Sequence, residues 1–111
     1  MIKKYEEVLK SFLNFYGVDN QYREFNSEFG ELAIELANFL TPDFMKEKNK
    51  ILAKSELHEN LKTEFADAII MLWQMVFATG ITVEELEREI CWKIKRQEFR
   101  IEKKRKELEA K

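Results

Sequence analysis

Apolar residues recur along this chain at intervals of three and four, with charged residues between them, which is typical of amphipathic helices. The pattern predicts four helices, over residues 2–16, about 19–40, 55–79 and about 82–108. Glycine or proline interrupts the pattern after each of the first three stretches. Four helices joined by short turns, with one longer connection, most simply form an antiparallel four-helix bundle, so we expect an all-α fold.

The third predicted helix is apolar on nearly every side. Between residues 65 and 78 only Asp67 and Gln74 are polar. Glu64 and Asp67 are three residues apart and lie at helical spacing from Ala68 and Met71, so the two acids share a side with apolar residues. A carboxylate in such surroundings is costly unless it is protonated, matched by a cation or placed at the edge of a wet cavity.

The second predicted helix carries acids on its packing side as well. Glu28, Glu31 and Glu35 fall on one stripe together with Leu32 and Leu36. If the second and third helices lie side by side, four or five carboxylates converge. Their mutual repulsion predicts that a divalent metal ion neutralises them.

Length and composition bound the fold further. A chain of 111 residues is long enough for one domain with a modest core, so we predict a single domain over 1–111 with a basic helix end at about 101–111. One proline and three glycines are too few for a sheet protein, which needs more turn residues. The net charge of −2 favours no class of partner.

The cellular compartment is predicted from what the sequence contains. Cys91 is the only cysteine, which excludes an internal disulfide and is consistent with a reducing cytosol. The N-terminal residues lack the long apolar core of a signal peptide, and the most apolar run is too short for a membrane span. We therefore expect a cytoplasmic protein, with neither membrane nor nucleic acid as its partner.

Charge is unevenly distributed along the chain. Residues 93–111 hold nine Lys or Arg against four Glu, a balance of +5, and residues 1–92 have a balance of −7. Lys93, Arg96 or Arg100 could therefore meet a negatively charged substrate held at the acidic residues. The alternative is that the basic end is an ordinary solvated helix.

These motifs together resemble one known family. Glu-Phe-Gly-Glu-Leu-Ala at 28–33, Asn-Leu-Lys-Thr-Glu-Phe-Ala-Asp-Ala-Ile-Ile-Met-Leu at 60–72, Gly-Ile-Thr at 80–82 and Lys-Ile-Lys-Arg at 93–96 occur in the order seen in MazG-like members of the all-α nucleoside triphosphate pyrophosphohydrolases. The resemblance covers about residues 21–100. Acids three apart are common on helices, but the two pairs in these apolar contexts are fairly specific together.

The resemblance implies an enzyme that uses Mg²⁺, or Mn²⁺ as the alternative ion, to cleave a nucleoside triphosphate to the monophosphate and pyrophosphate by attack of an activated water. The residues that match the family's catalytic metal ligands are Glu28, Glu31, Glu64 and Asp67. Lys93 and Arg96 match a basic pair in the family's last helix and are expected to hold phosphate oxygens. Trp92 and Gln21 are candidates for contact with the nucleobase.

The chain departs from the family in two places. The family often has a further Glu where this chain has Ser27, and Glu35, one turn beyond Glu31, could replace it. The interval between the two acidic motifs is lengthened by residues 42–54, a mobile loop or short helix that could act as a lid.

Assembly is also expected. A helix that is apolar all round leaves one flank open in a small monomer, and Ile70, Trp73 and Phe77 are predicted to lie there and to be covered by a second subunit. The resemblance likewise implies a homodimer or homotetramer. The competing hypothesis is a helical bundle without catalysis, whose basic tail binds nucleic acid or a partner protein.

Overall fold

The computed structural model describes residues 1–40 and 54–110, apart from the side chains of Lys54 and Ser55. The described chain forms four helices: α1 (Ile2–Tyr16), α2 (Val18–Leu40), α3 (Lys54–Ala78) and α4 (Val83–Glu109). No strand occurs in these two stretches, which confirms the all-α prediction for them. The predicted lid at residues 42–54 lies outside the described residues except for Lys54, where α3 begins.

Local signals set the helix boundaries. Gly17 and Gly80 have φ angles of 88° and 82°, in the left-handed region that glycine adopts without strain. Because Gly17 turns the chain within one residue, α2 begins at Val18, close to the predicted start at about residue 19. The hydroxyl of Thr82 accepts a hydrogen bond from the backbone N–H of Glu85 at 3.1 Å, which confirms the predicted start of α4.

The main packing interface is between α2 and α3, and contacts near its two ends show that this pair runs antiparallel. Near the start of α2, Gln21 donates a hydrogen bond to Gln74 near the end of α3, at 2.7 Å. Near the opposite end of the interface the rings of Phe39 and His58 lie 6.4 Å apart. Ala68 and Met71 of α3 are buried on the side predicted from the acid spacing. The interface therefore extends over most of the length of both helices.

The remaining core lies where α1 crosses the end of α3. Leu9 and Leu13 of α1 pack in one buried cluster with Phe77 of α3 and Val83 of α4. Phe77 is only 9% exposed, so the prediction that it lies on an open flank is wrong. The reason is that α1 covers the last turns of α3. The exposed flank of α3 lies closer to the start of the helix, at Ile70, which is 43% exposed.

Helix α4 projects away from the other three helices. The chain direction changes by 112° between α3 and α4, so α4 does not run back along α3. Val83 and the Lys3–Glu84 ion pair attach its first turn to the rest of the chain. Every residue of 87–110 is exposed. Within the described chain, three helices pack together and the fourth has no packing partner for most of its length.

Among the described residues, no single helix is both long and apolar enough to cross a membrane. Helices α3 and α4 reach that length and apolar character only when they are taken together as a bent pair.

Candidate acidic site between α2 and α3

Three carboxylates meet at the centre of the α2–α3 interface. One oxygen each from Glu28, Glu64 and Asp67 lies within 4.8 Å of the others. Glu64 and Asp67 share a side of α3 because they are three residues apart, and the antiparallel packing of α2 places Glu28 opposite them. Glu28 and Glu64 are half-buried and Asp67 is exposed, so the group opens to solvent on one side. We call these three residues the acidic cluster.

The other two predicted acids lie beside the acidic cluster. Glu31 is exposed and does not belong to the group of three, but its carboxyl is close enough to Glu64 to hydrogen-bond with it. Glu35 is half-buried, and one of its carboxylate oxygens is shielded from solvent without a hydrogen-bond partner. Its charge also acts on Glu64. The suggestion that Glu35 replaces the acid missing at Ser27 stays a prediction, since Glu35 does not belong to the group of three.

The electrostatics of the acidic cluster are dominated by like charges. Burial raises the pKa of Glu28, and the negative charges of Glu31, Asp67 and Glu64 raise it further. Burial likewise raises the pKa of Glu64, followed by the charges of Glu31 and Asp67. Among the described residues, no basic side chain forms an ion pair with Glu28, Glu64 or Asp67.

The unpaired oxygens of the acidic cluster suit a hard cation. Oε2 of Glu28 and Oε2 of Glu64 are both shielded from solvent and have no hydrogen-bond partner among the described residues. A carboxylate oxygen in that position is costly unless the group is protonated or a cation approaches it. Carboxylate oxygens are the ligands that Mg²⁺ and Mn²⁺ prefer in proteins. The donor set consequently fits the predicted ion.

Because the pKa of Glu64 is raised in the folded state, that state binds the Glu64 proton more tightly than the unfolded chain does. The stability contributed by this group is full below its ordinary pKa of 4.5 and is lost as the pH rises through the folded-state value. We therefore expect Glu64→Gln to melt at a higher temperature than the wild-type chain at pH 7 without divalent ions. The difference should vanish at acid pH, and the measurement is thermal unfolding followed by circular dichroism across this range.

A matched control for this experiment lies five residues earlier on the same helix. A hydrogen bond from Lys62 lowers the pKa of Glu59, so Glu59→Gln should slightly lower the melting temperature at pH 7 and have no effect at acid pH. If Glu64→Gln and Glu59→Gln change the melting temperature equally at pH 7, the stabilisation by Glu64→Gln does not come from the acidic cluster.

The predicted phosphate-binding residues lie on the projecting part of α4. The guanidinium of Arg96 stacks on the ring of Trp92 at 4.8 Å, and the ammonium of Lys93 lies 3.9 Å from a carboxylate oxygen of Glu89. Trp92, Lys93 and Arg96 are all exposed. In the described chain most of α4 packs against none of the other helices. Lys93 and Arg96 are therefore not packed against the acidic cluster.

Gln21, the other candidate for substrate contact, lies inside the α2–α3 interface. It is 6% exposed, and its amide is engaged by Asn20 and Gln74. Substrate contact by Gln21 stays a prediction. Sequence reasoning assigned no role to its partner Gln74, which is 1% exposed. The signal that could have found Gln74 is its position, since it is the only uncharged polar residue in the apolar run of 65–78.

Comparisons of this chain with models of protein families, with curated proteins and with solved structures find no match. The resemblance to MazG-like pyrophosphohydrolases therefore depends on the motifs in the sequence alone.

Proposed function

We propose that this protein is a Mg²⁺-dependent nucleoside triphosphate pyrophosphohydrolase that acts on cytoplasmic nucleotides. The observation that carries the proposal is the convergence of Glu28, Glu64 and Asp67, which come from two separate sequence motifs and place one oxygen each within 4.8 Å. These are the two acidic motifs among the four stretches that carry the resemblance to MazG-like enzymes. The products would be a nucleoside monophosphate and pyrophosphate.

The chemistry assigns a role to each part of the acidic cluster. Glu28, Glu64 and Asp67 would hold Mg²⁺ or Mn²⁺, and Glu31 and Glu35 are the further acids that would complete the site. The bound ion supplies charge neutralisation for the triphosphate and for the leaving pyrophosphate. A water attacks phosphorus, the bond to the bridging oxygen breaks, and a carboxylate takes up the proton of the water.

We further propose that two or more copies assemble and that α4 completes its bundle in the assembly. The apolar residues Ile94 and Ile101 of α4 are about half exposed, as is Ile70 of α3. Covering both surfaces with a second copy would bury them and remove the projecting helix from solvent. Light scattering should give a native mass of at least twice 13.4 kDa. A monomer at micromolar concentration would contradict the assembly.

The proposed activity is tested with a panel of canonical and modified nucleoside triphosphates, assayed for pyrophosphate release with and without Mg²⁺. We expect release from at least one nucleotide only when Mg²⁺ is present. In parallel, Mg²⁺ alone should raise the melting temperature, because an ion that binds only the folded chain stabilises it. Absence of both effects would reject the proposal.

One observation favours a second function. All residues of 87–110 are exposed, and the segment from 93 onward is basic, so α4 could bind a polyanion such as nucleic acid without any catalysis. This function predicts binding to nucleic acid that weakens steeply with salt, and no rise of the melting temperature with Mg²⁺. Measuring both in the same buffers distinguishes the two functions.

A further inference from the structure

Two amide side chains are buried together between α2 and α3. Gln21 and Gln74 are 6% and 1% exposed, and the amide nitrogen of Gln21 donates to the amide oxygen of Gln74 at 2.7 Å. The amide nitrogen of Gln74 in turn donates to the sulfur of Met71 at 3.6 Å, and Asn20 donates to the oxygen of Gln21 at 2.9 Å. A buried amide is costly unless it is hydrogen-bonded, so the interface tolerates these two groups only when they face each other.

The same alignment of the two helices that pairs the amides also assembles the acidic cluster. From Gln21 to Glu28 is seven residues along α2, and from Gln74 back to Asp67 is seven residues along α3. Three further residues in each direction lead to Glu31 and Glu64, whose carboxyls are within hydrogen-bonding reach. The amide pair and the acid pairs are therefore products of one antiparallel register.

Apolar packing alone specifies this register weakly. Helix α3 is apolar on nearly every side, and burial of apolar surface has no preferred direction along a helix axis. A displacement of α3 by one turn, about 5.4 Å, would still bury apolar side chains. The carboxylates repel one another and so favour such a displacement when no cation is bound. The amide hydrogen bond opposes it, because a displaced Gln74 would be buried without Gln21.

We propose that Gln21 and Gln74 are positioning residues that fix the register of α2 against α3 and so hold the acidic cluster together. A single buried polar pair has this effect in coiled coils, where it selects one register among several of similar apolar burial. The register part of the proposal stands on the geometry of the helices. Its consequence for cation binding rests on the proposed function.

The test replaces both amides with apolar side chains of similar size, as Gln21→Leu with Gln74→Leu. Spin labels are placed at exposed Asn26 of α2 and exposed Lys62 of α3, in a chain with Cys91→Ser so that no other thiol is labelled. These sites are offset by about 10 Å along the helices, so that a slip changes their separation directly. Labelled chain is diluted into unlabelled chain so that only distances within one chain contribute.

We expect one narrow distance for the wild-type chain and a second population displaced by several ångströms in the double Leu variant, with helix content unchanged by circular dichroism. Leu61→Met, a volume-conserving change at a buried apolar residue of α3 that makes no hydrogen bond to the amide pair, should keep the single distance. If the double Leu variant does not fold, Gln21→Met with Gln74→Met takes its place, because flexible Met side chains adapt to the space. A single unchanged distance in the folded apolar variant overturns the proposal.

Titration with Mg²⁺, followed by the rise in melting temperature, separates this proposal from the proposed function. If both hold, the apolar variant should bind Mg²⁺ at least about tenfold more weakly than the wild-type chain. Suppose that Mg²⁺ does not raise the melting temperature of the wild-type chain, while the apolar variant shows two spin-label distances. That result would reject the metal site and support the role of the two amides in fixing the helix register. Equal Mg²⁺ affinity in the two chains, with a split distance, would reject the positioning role.

Discussion

Replacing Glu64 with Gln is expected to lower the rate of pyrophosphate release at least about a hundredfold while the chain stays folded, because the change removes one of the proposed metal ligands. The side chain keeps its size, so the α2–α3 interface should pack as before. The measurement is steady-state pyrophosphate release at saturating Mg²⁺ with the nucleotide that gives the highest rate in the panel.

The matched control is Glu59→Gln, the same chemical change on the same helix at an exposed position paired only with Lys62. It should retain the wild-type rate. Because Glu64→Gln is also expected to stabilise the chain without Mg²⁺, loss of activity with a raised melting temperature would exclude unfolding as the cause. Wild-type turnover by Glu64→Gln would remove Glu64 from the site, and with it the proposed role of the acidic cluster.

The convergence of acids could be anticipated from the sequence because it follows from helix geometry. Acids spaced by three residues must share a side of a helix, and the same sides carry the apolar residues that pack. What the spacing could not set is the register between the helices. That depends on which residues of α2 face which residues of α3, and so Glu31 could not be distinguished from Glu28 in advance. The register is shown by buried Gln74, which pairs with Gln21 of α2.

The position of α4 could not be predicted for a different physical reason. Its apolar residues recur at helical spacing and therefore require a partner, but the periodicity does not say which chain supplies that partner. Phe77 illustrates the same limit. The pattern correctly marked this residue as one that needs cover, and α1 of the same chain provides it, whereas the cover for Ile94 and Ile101 is absent from the described chain. The apolar pattern thus predicts which residues are buried, but it does not say whether the same chain or a second one covers them.

The separation of Arg96 from the acidic cluster leads to the second prediction. If a second copy brings its α4 to the acids, then Arg96→Ala and Glu64→Gln are each inactive alone, yet a mixture refolded together regains activity. In a dimer, half of the molecules would be mixed pairs, each with one intact site made of acids from one chain and Arg96 from the other. The mixture should therefore recover about a quarter of the wild-type rate of pyrophosphate release.

The same mixture distinguishes the two possible sources of the basic residues. If acids and Arg96 act within one chain, every site in a mixed pair carries one of the two defects, and the mixture stays as inactive as its components. Lys106→Ala, a loss of charge on the distal part of the same helix, serves as the control and should be active alone. Since a mixed pair can be active only if the site spans two chains, recovery would also explain why α4 projects so far from the helices that carry the acids.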